Sequence, residues 1–115
     1  VIDGDGIVFV DFWAAWCGPC RAFAPTFESA AEQHPDIVFG KVDTEAEREL
    51  AAQFRITSIP TLMVFRDGIP VFAQPGALPA PALEQLVEGA RALDMDDVRR
   101  QVAENDAKQS ASASA

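Results

Sequence analysis

Apolar stretches of strand length alternate with stretches of helical periodicity in the first part of the chain. Residues 7–13 form an apolar run rich in β-branched and aromatic residues, and Asp11 is the only charged residue within it. Such a run is typical of a central strand covered on both faces, so we expect Asp11 to be buried. Apolar residues then recur at spacings of three and four, which predicts a helix from about residue 20 to 33 with a kink at Pro25.

The same alternation continues through the middle of the chain. A second buried strand is predicted at residues 37–42. A helix is predicted at about 45–54, with a capping box between Thr44 and Glu47 at its start. Because strand and helix alternate, the first two strands should be parallel.

The next elements predict an antiparallel arrangement. Strands are expected at 61–65 and 71–73, joined by a hairpin turn with an Asp-Gly pair. A last helix should begin at Leu78 or Pro79 and cover one side of the sheet. The fold class is therefore α/β, with a central mixed sheet that is parallel at its start, antiparallel at its hairpin end and flanked by helices.

The length of 115 residues is enough for one ordinary domain and too short for two. We assign residues 1–93 to this domain and residues 94–115 to an extension. Asp94 offers a cap to a short extra helix. The final Ser/Ala stretch cannot bury enough surface to order itself, so we predict that it is disordered.

Composition and charge exclude several kinds of partner. Hydrophobic residues make up 49% of the chain and charged residues 23%, as in a soluble globular protein. The net charge of -9 would repel nucleic acid and anionic membranes. No apolar run approaches the length of about 18 residues that a membrane span needs, and the first six residues lack the basic start of a secretory signal. We therefore expect a soluble protein that is not exported.

Cys17 and Cys20 are the only cysteines, and two residues separate them. As a structural cross-link, the pair closes a loop of about four residues, for which the loop-entropy relation gives only roughly 2 kcal/mol. A zinc or iron–sulfur site would need about four ligands, and the chain has no third cysteine and a single histidine, His34. We therefore expect a redox pair and no metal site.

The position of this pair meets the requirements of thiol–disulfide exchange. Cys17 follows a predicted strand and precedes a predicted helix, where free N–H groups and the helix dipole stabilise a thiolate. We expect Cys17 to be the exposed nucleophile. Cys20 lies one turn further into the helix, so it should be shielded from solvent and act as the resolving thiol.

The residues around the pair resemble the active-site segment of the thioredoxin family. Residues 9–20 read FVDFWAAWCGPC, and residues 58–61, SIPT, are similar to the second signature of that family. The resemblance covers about residues 7–93 and implies the thioredoxin fold. Residues 44–47 and 58–60 further resemble the bacterial thioredoxin-2 branch. Members usually begin with a further strand and helix, and that branch often carries an amino-terminal zinc module. Only six residues precede Ile7 in this sequence, so we expect both to be missing here.

The resemblance also implies how the site binds a substrate. A cis peptide bond should precede Pro60 and place the backbone of Ile59 against the disulfide, where it can pair with an extended substrate segment. A flat apolar docking surface would surround Cys17. Its residues would be Trp16, Gly18, Pro19, Ile59, Pro60, Gly76 and Ala77.

The chemical roles follow from the same resemblance. Asp11 would be a buried carboxylate with a raised pKa that takes a proton from Cys20, with Lys41 near it. The Gly18-Pro19 dipeptide favours a reductant, because strongly oxidising relatives use a different dipeptide and are exported.

The function that the resemblance implies is a general protein-disulfide reductase of the cytoplasm. It should be a monomer that acts on disulfide-containing proteins and has no bound cofactor. A flavin thioredoxin reductase would regenerate it with electrons from NADPH. Two alternatives remain open: an extracytoplasmic thiol oxidase or isomerase, which would differ in reduction potential, and a binding or chaperone module without turnover, which would still bind after Cys17→Ser.

Overall fold

The computed structural model of the chain describes residues 6–114, with side chains described as far as residue 107. Within this range the elements are β1 (Ile7–Trp13), α1 (Gly18–Gln33), β2 (Val38–Asp43), α2 (Arg48–Gln53), β3 (Thr61–Arg66), β4 (Ile69–Pro75), α3 (Ala80–Ala92) and α4 (Met95–Ser114). Residues 1–5 and Ala115, which belong to the predicted domain and tail, lie outside the described residues.

The strands of the described residues form one mixed sheet in the order β2-β1-β3-β4. β1 pairs in parallel with β2 and antiparallel with β3, and β3 pairs antiparallel with β4. This arrangement confirms the predicted fold class. β1 lies inside the sheet because its apolar run tolerates coverage on both faces.

Alternate residues of β1 point to opposite faces of the sheet. Phe9 packs with Phe23 of α1 and Leu83 of α3 in the larger hydrophobic cluster. Phe12 belongs to a second cluster on the opposite face. Asp11 is two residues from Phe9, so its side chain points to the face that α1 and α3 cover.

The prediction that β2 is a buried strand is wrong. The strand is exposed or half-buried along its whole length, and the side chain of Val38 is 47% exposed. Among the described strands, β2 lies at one end of the sheet. The prediction rested on the apolar content of the segment, whereas burial also depends on what lies beside the strand and over it.

The predicted capping box at the start of α2 does not form. Thr44 donates from its backbone N–H and from its hydroxyl to the carbonyl oxygen of Trp13, at 2.9 Å and 3.1 Å. These bonds anchor Thr44 to the end of β1, and α2 begins only at Arg48. Within the described residues, the side chain of Glu47 makes no capping hydrogen bond.

The hairpin and the helix that follows it agree with the prediction. Asp67 and Gly68 connect β3 to β4 with φ angles of 53° and 80°. Two consecutive positive φ angles are what a tight two-residue hairpin turn requires. α3 begins at Ala80 with Pro79 as its N-cap residue, one residue after the later of the two predicted starts.

Arg66, the last residue of β3, holds the carboxyl end of α3. Its Nη1 donates to the carbonyl oxygens of Ala90 at 2.7 Å and Leu93 at 2.8 Å, and to that of Arg91 at 3.3 Å. The last carbonyl groups of a helix have no partner within the helix. One guanidinium group therefore joins the end of the sheet to the end of α3.

α4 begins with the predicted aspartate cap. The Oδ1 atom of Asp94 accepts from the backbone N–H groups of Asp96 at 3.1 Å and Asp97 at 3.3 Å. The helix then continues to Ser114, through most of the Ser/Ala stretch for which the sequence predicts disorder. Alanine is the strongest helix former, and neither glycine nor proline interrupts this stretch. The division of the chain into a domain and an extension stays a prediction.

We predict that Arg66→Met lowers the free energy of unfolding by about 2 kcal/mol, because partly buried carbonyl groups at the end of α3 lose a charged hydrogen-bond donor. Denaturant unfolding measures this change. The matched control is Arg100→Met, which removes an arginine that pairs with Asp97 on the surface of α4. The control should stay within about 0.5 kcal/mol of the wild type. Equal effects of the two substitutions would contradict the capping role.

Candidate active site

Cys17 and Cys20 lie where the loop after β1 enters α1, and they form a disulfide bond. Their Cα atoms are 5.2 Å apart. Cys17 is the N-cap residue of α1 and has extended backbone angles, with φ of -86° and ψ of 112°. Pro19 occupies the first turn, where a residue without a backbone N–H is well tolerated. The helix therefore starts at the reactive pair.

The sulfur of Cys17 takes the place of a capping oxygen. The backbone N–H of Cys20 donates to the Sγ atom of Cys17 at 3.2 Å. An N-terminal N–H group and the positive end of the helix dipole both stabilise a thiolate at this position. In the reduced protein, this environment favours negative charge on Cys17.

Both cysteines are buried in the disulfide-bonded protein. The exposed fractions of Cys17 and Cys20 are 4% and 3%, and they form a cluster with Ala14 against which Trp13 and Ile59 pack. The expectation that Cys17 is the exposed member is therefore not met in this redox state, because the packed cluster covers both sulfurs. The proposed order of roles rests on the helix position of Cys17.

The loop before β3 lies against the disulfide. A cis peptide bond joins Ile59 to Pro60, and the carbonyl oxygen of Ile59 lies 3.7 Å from the Sγ atom of Cys17. The carbonyl oxygen of Pro60 accepts from the N–H of Gly76 at 2.7 Å. Gly76 has a φ of 94°, which favours glycine. These contacts bring three separate segments of the chain together at the cysteines.

The predicted docking residues differ in how much of their surface is open. Pro60 is buried, and Ile59 is half-buried. The exposed residues of the set are Trp16, Gly18, Pro19, Gly76 and Ala77. The Trp16 side chain is 67% exposed, the largest value among the big hydrophobic side chains of the described residues. The accessible part of the predicted docking surface therefore consists of the indole ring of Trp16 and several small residues.

Asp11 is fully buried, with an exposed fraction of 0%. Within the described part of the chain, neither of its carboxylate oxygens has a hydrogen-bond partner. Burial raises the pKa of the Asp11 carboxyl from 3.8 to about 6, although the positive charge of Lys41 lowers it in part. A carboxyl group with a pKa this close to neutrality can accept and release a proton during turnover.

Lys41 lies beside Asp11 but in a different environment. The two residues are partners in the parallel pairing of β1 with β2, and Lys41 is exposed. The Nζ atom of Lys41 lies 5.0 Å from the centroid of the Trp13 ring, which is a cation–π contact. Lys41 thus acts on the Asp11 carboxyl through its charge.

Sequence patterns did not predict several contacts that hold the loops around the cysteines. Arg21 Nη1 donates to the Ala15 carbonyl at 2.8 Å, and Thr61 Oγ1 donates to the Ser58 carbonyl at 2.5 Å. Trp16 Nε1 donates to Glu45 Oε1 at 2.9 Å and so joins two separate loops. Trp16 and Glu45 are 29 residues apart, so no local spacing could have signalled their contact.

Within residues 6–114, no group of three or more His, Cys, Asp or Glu side chains is placed to hold a metal ion. None of the helices in the described range has the length and apolar character needed to cross a membrane.

A disulfide at the start of a helix, with a cis-proline loop against it, defines a disulfide oxidoreductase. The thioredoxin family model matches residues 1–89 of this chain. The chain therefore belongs to the thioredoxin family, which confirms the resemblance seen in its motifs.

Individual relatives agree with this assignment. A protein from Streptomyces coelicolor that is named as a thioredoxin 2 is 61% identical over 101 residues, which cover 88% of this chain and 75% of that protein. A thioredoxin from Alicyclobacillus acidocaldarius is 49% identical over 84 residues, which cover 72% of this chain and 80% of that protein.

Solved thioredoxin structures have the same fold. Plasmodium falciparum thioredoxin superimposes with a TM-score of 0.71 at 40% identity, over 76% of this chain and 85% of that one. Fasciola hepatica thioredoxin gives a TM-score of 0.72 at 35% identity, over 76% of this chain and 84% of that one.

We predict that the burial of Asp11 makes stability depend on pH. Between about pH 4 and pH 6 the folded protein retains a proton that the unfolded chain has lost, so the free energy of unfolding should fall as the pH rises through this window. The expected fall is roughly 2 to 3 kcal/mol. Asp11→Asn should remove this component, and denaturant unfolding of the oxidised proteins between pH 4 and 7 measures it. An identical pH dependence in both proteins would contradict the raised pKa.

Proposed function

We propose that this chain is a general protein-disulfide reductase. The observation that carries the proposal is the N-cap position of Cys17, whose Sγ atom accepts the N–H of Cys20 and lies beside the carbonyl of Ile59. This position combines a stabilised thiolate with a neighbouring backbone that an extended substrate can approach.

In the first step, the thiolate of Cys17 attacks one sulfur of a substrate disulfide. A bond forms between Cys17 and that sulfur, the substrate disulfide breaks, and the other substrate sulfur leaves as a thiolate that takes up a proton. The main chain of Ile59 pairs with the substrate segment during this step. Because main-chain pairing places little demand on side chains, it suits a general reductase.

In the second step, Cys20 gives its proton to Asp11 and attacks the Sγ atom of Cys17. The Cys17–Cys20 disulfide forms, and the substrate leaves as a second thiolate, which takes up the proton. The substrate disulfide gains two electrons from the cysteine pair. It also gains two protons, one from Cys20 by way of Asp11 and one from solvent, which took up the Cys17 proton when the thiolate formed. Asp11 suits this role because burial raises its pKa to about 6.

Regeneration requires an external reductant. Members of the thioredoxin family act on disulfide-containing substrates and are reduced by thioredoxin reductase. We extend this cycle to the present chain, with a flavin reductase that draws two electrons from NADPH. NADPH then remains a cofactor of the reductase, and this protein works as a monomer without a bound cofactor. The reducing cytoplasm is the compartment in which such a pair is returned to its dithiol form.

The Gly18-Pro19 dipeptide supports a reductant over a thiol oxidase. We predict a reduction potential near the value of about -270 mV that is typical of thioredoxin. Equilibration with dithiothreitol buffers of known potential measures this quantity. A value near about -120 mV, typical of periplasmic oxidants, would favour the oxidase or isomerase alternative instead.

The order of the two cysteines can be tested by trapping. Cys20→Ser should accumulate a covalent mixed disulfide with a protein substrate, because the second step is blocked, whereas Cys17→Ser should form none. Non-reducing electrophoresis after incubation with insulin detects the adduct. An adduct with Cys17→Ser alone would reverse the assigned roles.

Insulin reduction separates catalysis from binding. The wild type should accelerate the reaction with dithiothreitol and also with NADPH and a thioredoxin reductase, and Cys17→Ser should be inactive in both. A wild-type protein that binds insulin without accelerating its reduction would support the binding-module alternative.

A further inference from the structure

Trp16 combines high exposure with a fixed orientation. Its side chain is 67% exposed next to Cys17, and its Nε1 donates to the Oε1 atom of Glu45 at 2.9 Å. An exposed indole without such a bond is free to exchange between rotamers. A hydrogen bond to a carboxylate is of the stronger, charge-assisted kind. Glu45 therefore selects one orientation of the ring beside the disulfide.

Glu45 is held in place by its own neighbours. Its second carboxylate oxygen, Oε2, accepts from Nη2 of Arg48 at 3.2 Å, and the Nε of Arg48 donates to the Glu45 carbonyl at 3.4 Å. The backbone N–H of Glu45 donates to Oδ1 of Asp43 at 2.9 Å. Each carboxylate oxygen thus has one partner, and the backbone that carries the side chain is fixed.

The segments that carry Trp16 and Glu45 are both attached to the carboxyl end of β1. Thr44 is anchored by two hydrogen bonds to the carbonyl of Trp13. The loop that carries Trp16 is fixed by the bond from Arg21 to the Ala15 carbonyl at 2.8 Å. Trp16 and Glu45 are therefore both held by hydrogen bonds near the end of β1, so their contact does not depend on a mobile loop.

We infer that Glu45 is a positioning residue that holds the Trp16 indole as a preformed wall of the docking surface for protein substrates. The inference rests on the proposed reductase function. Binding a protein against a mobile ring requires that ring to be ordered, which costs free energy, whereas a ring that is already oriented avoids this cost. A small disulfide that reacts without covering Trp16 would gain nothing from the contact.

Three variants separate the hydrogen bond from the charge. Glu45→Leu removes both, and Glu45→Gln removes the charge but keeps an amide oxygen that can accept the indole N–H. Glu47→Leu is the matched control, because it removes the same charge from the same segment. Within the described residues, its side chain makes no capping bond.

The kinetic readout is the KM and kcat for insulin, compared with the rate for a small aliphatic disulfide, which has no ring to stack on Trp16. Glu45→Leu should raise the KM for insulin about three- to tenfold, the range expected for ordering one side chain, and leave kcat unchanged. Glu45→Gln and Glu47→Leu should stay within about twofold of the wild type. The rate with the small disulfide should be the same in all four proteins.

A second readout follows the contact directly. In proton–nitrogen NMR spectra, the indole N–H of Trp16 should exchange faster with solvent in Glu45→Leu, while that of Trp13 should not change. An unchanged Trp16 exchange rate, or a freed indole with an unchanged KM for insulin, would overturn the inference. Absence of insulin reduction by the wild type would instead overturn the proposed function, so the two failures are distinguishable.

Discussion

The site depends on a helix that follows a central strand after one short loop. β1 is paired on both of its edges, and its end at Trp13 is therefore held in place. A short loop, closed by the bond from the Cys17 N–H to the Ala14 carbonyl at 3.1 Å, connects this end to the first turn of α1. One free N–H group of that turn, that of Cys20, donates to the sulfur of Cys17. The sheet thus fixes where the positive end of the helix dipole lies, and this position favours negative charge on the sulfur of Cys17.

The same strand carries the buried acid Asp11, at a cost in stability. Asp11 occupies a position where an apolar residue would pack without an electrostatic penalty, and its oxygens find no hydrogen-bond partner in the described part of the chain. A buried carboxylate without partners is unfavourable, and its charge is only partly compensated by Lys41. Proteins commonly tolerate such local instability where a functional group needs an altered pKa.

Local sequence signals predicted the features that depend on local physics. The apolar run of β1, the Asp-Gly turn and the aspartate cap at Asp94 each specify their structure within a few residues, and each was predicted. The burial of β2, the start of α2 and the burial of Cys17 depend on distant neighbours. Thr44, for example, is bound by the carbonyl of Trp13, which no pattern around Thr44 indicates. The hydrogen bond from Trp16 to Glu45 likewise joins residues that are too far apart in the sequence for a local pattern to predict.

The two ends of β3 have different neighbours, the cysteines at one end and α3 at the other. Thr61, at one end of the strand, follows the cis-proline that lies near the cysteines. Arg66, at the other end, donates to carbonyl groups at the carboxyl end of α3. Five steps of about 3.3 Å place these ends about 17 Å apart, beyond the range in which substitutions usually couple. The effects of substitutions at the two ends on the free energy of unfolding should therefore add. Residues where β3 meets the end of α3 can then be substituted without disturbing the disulfide.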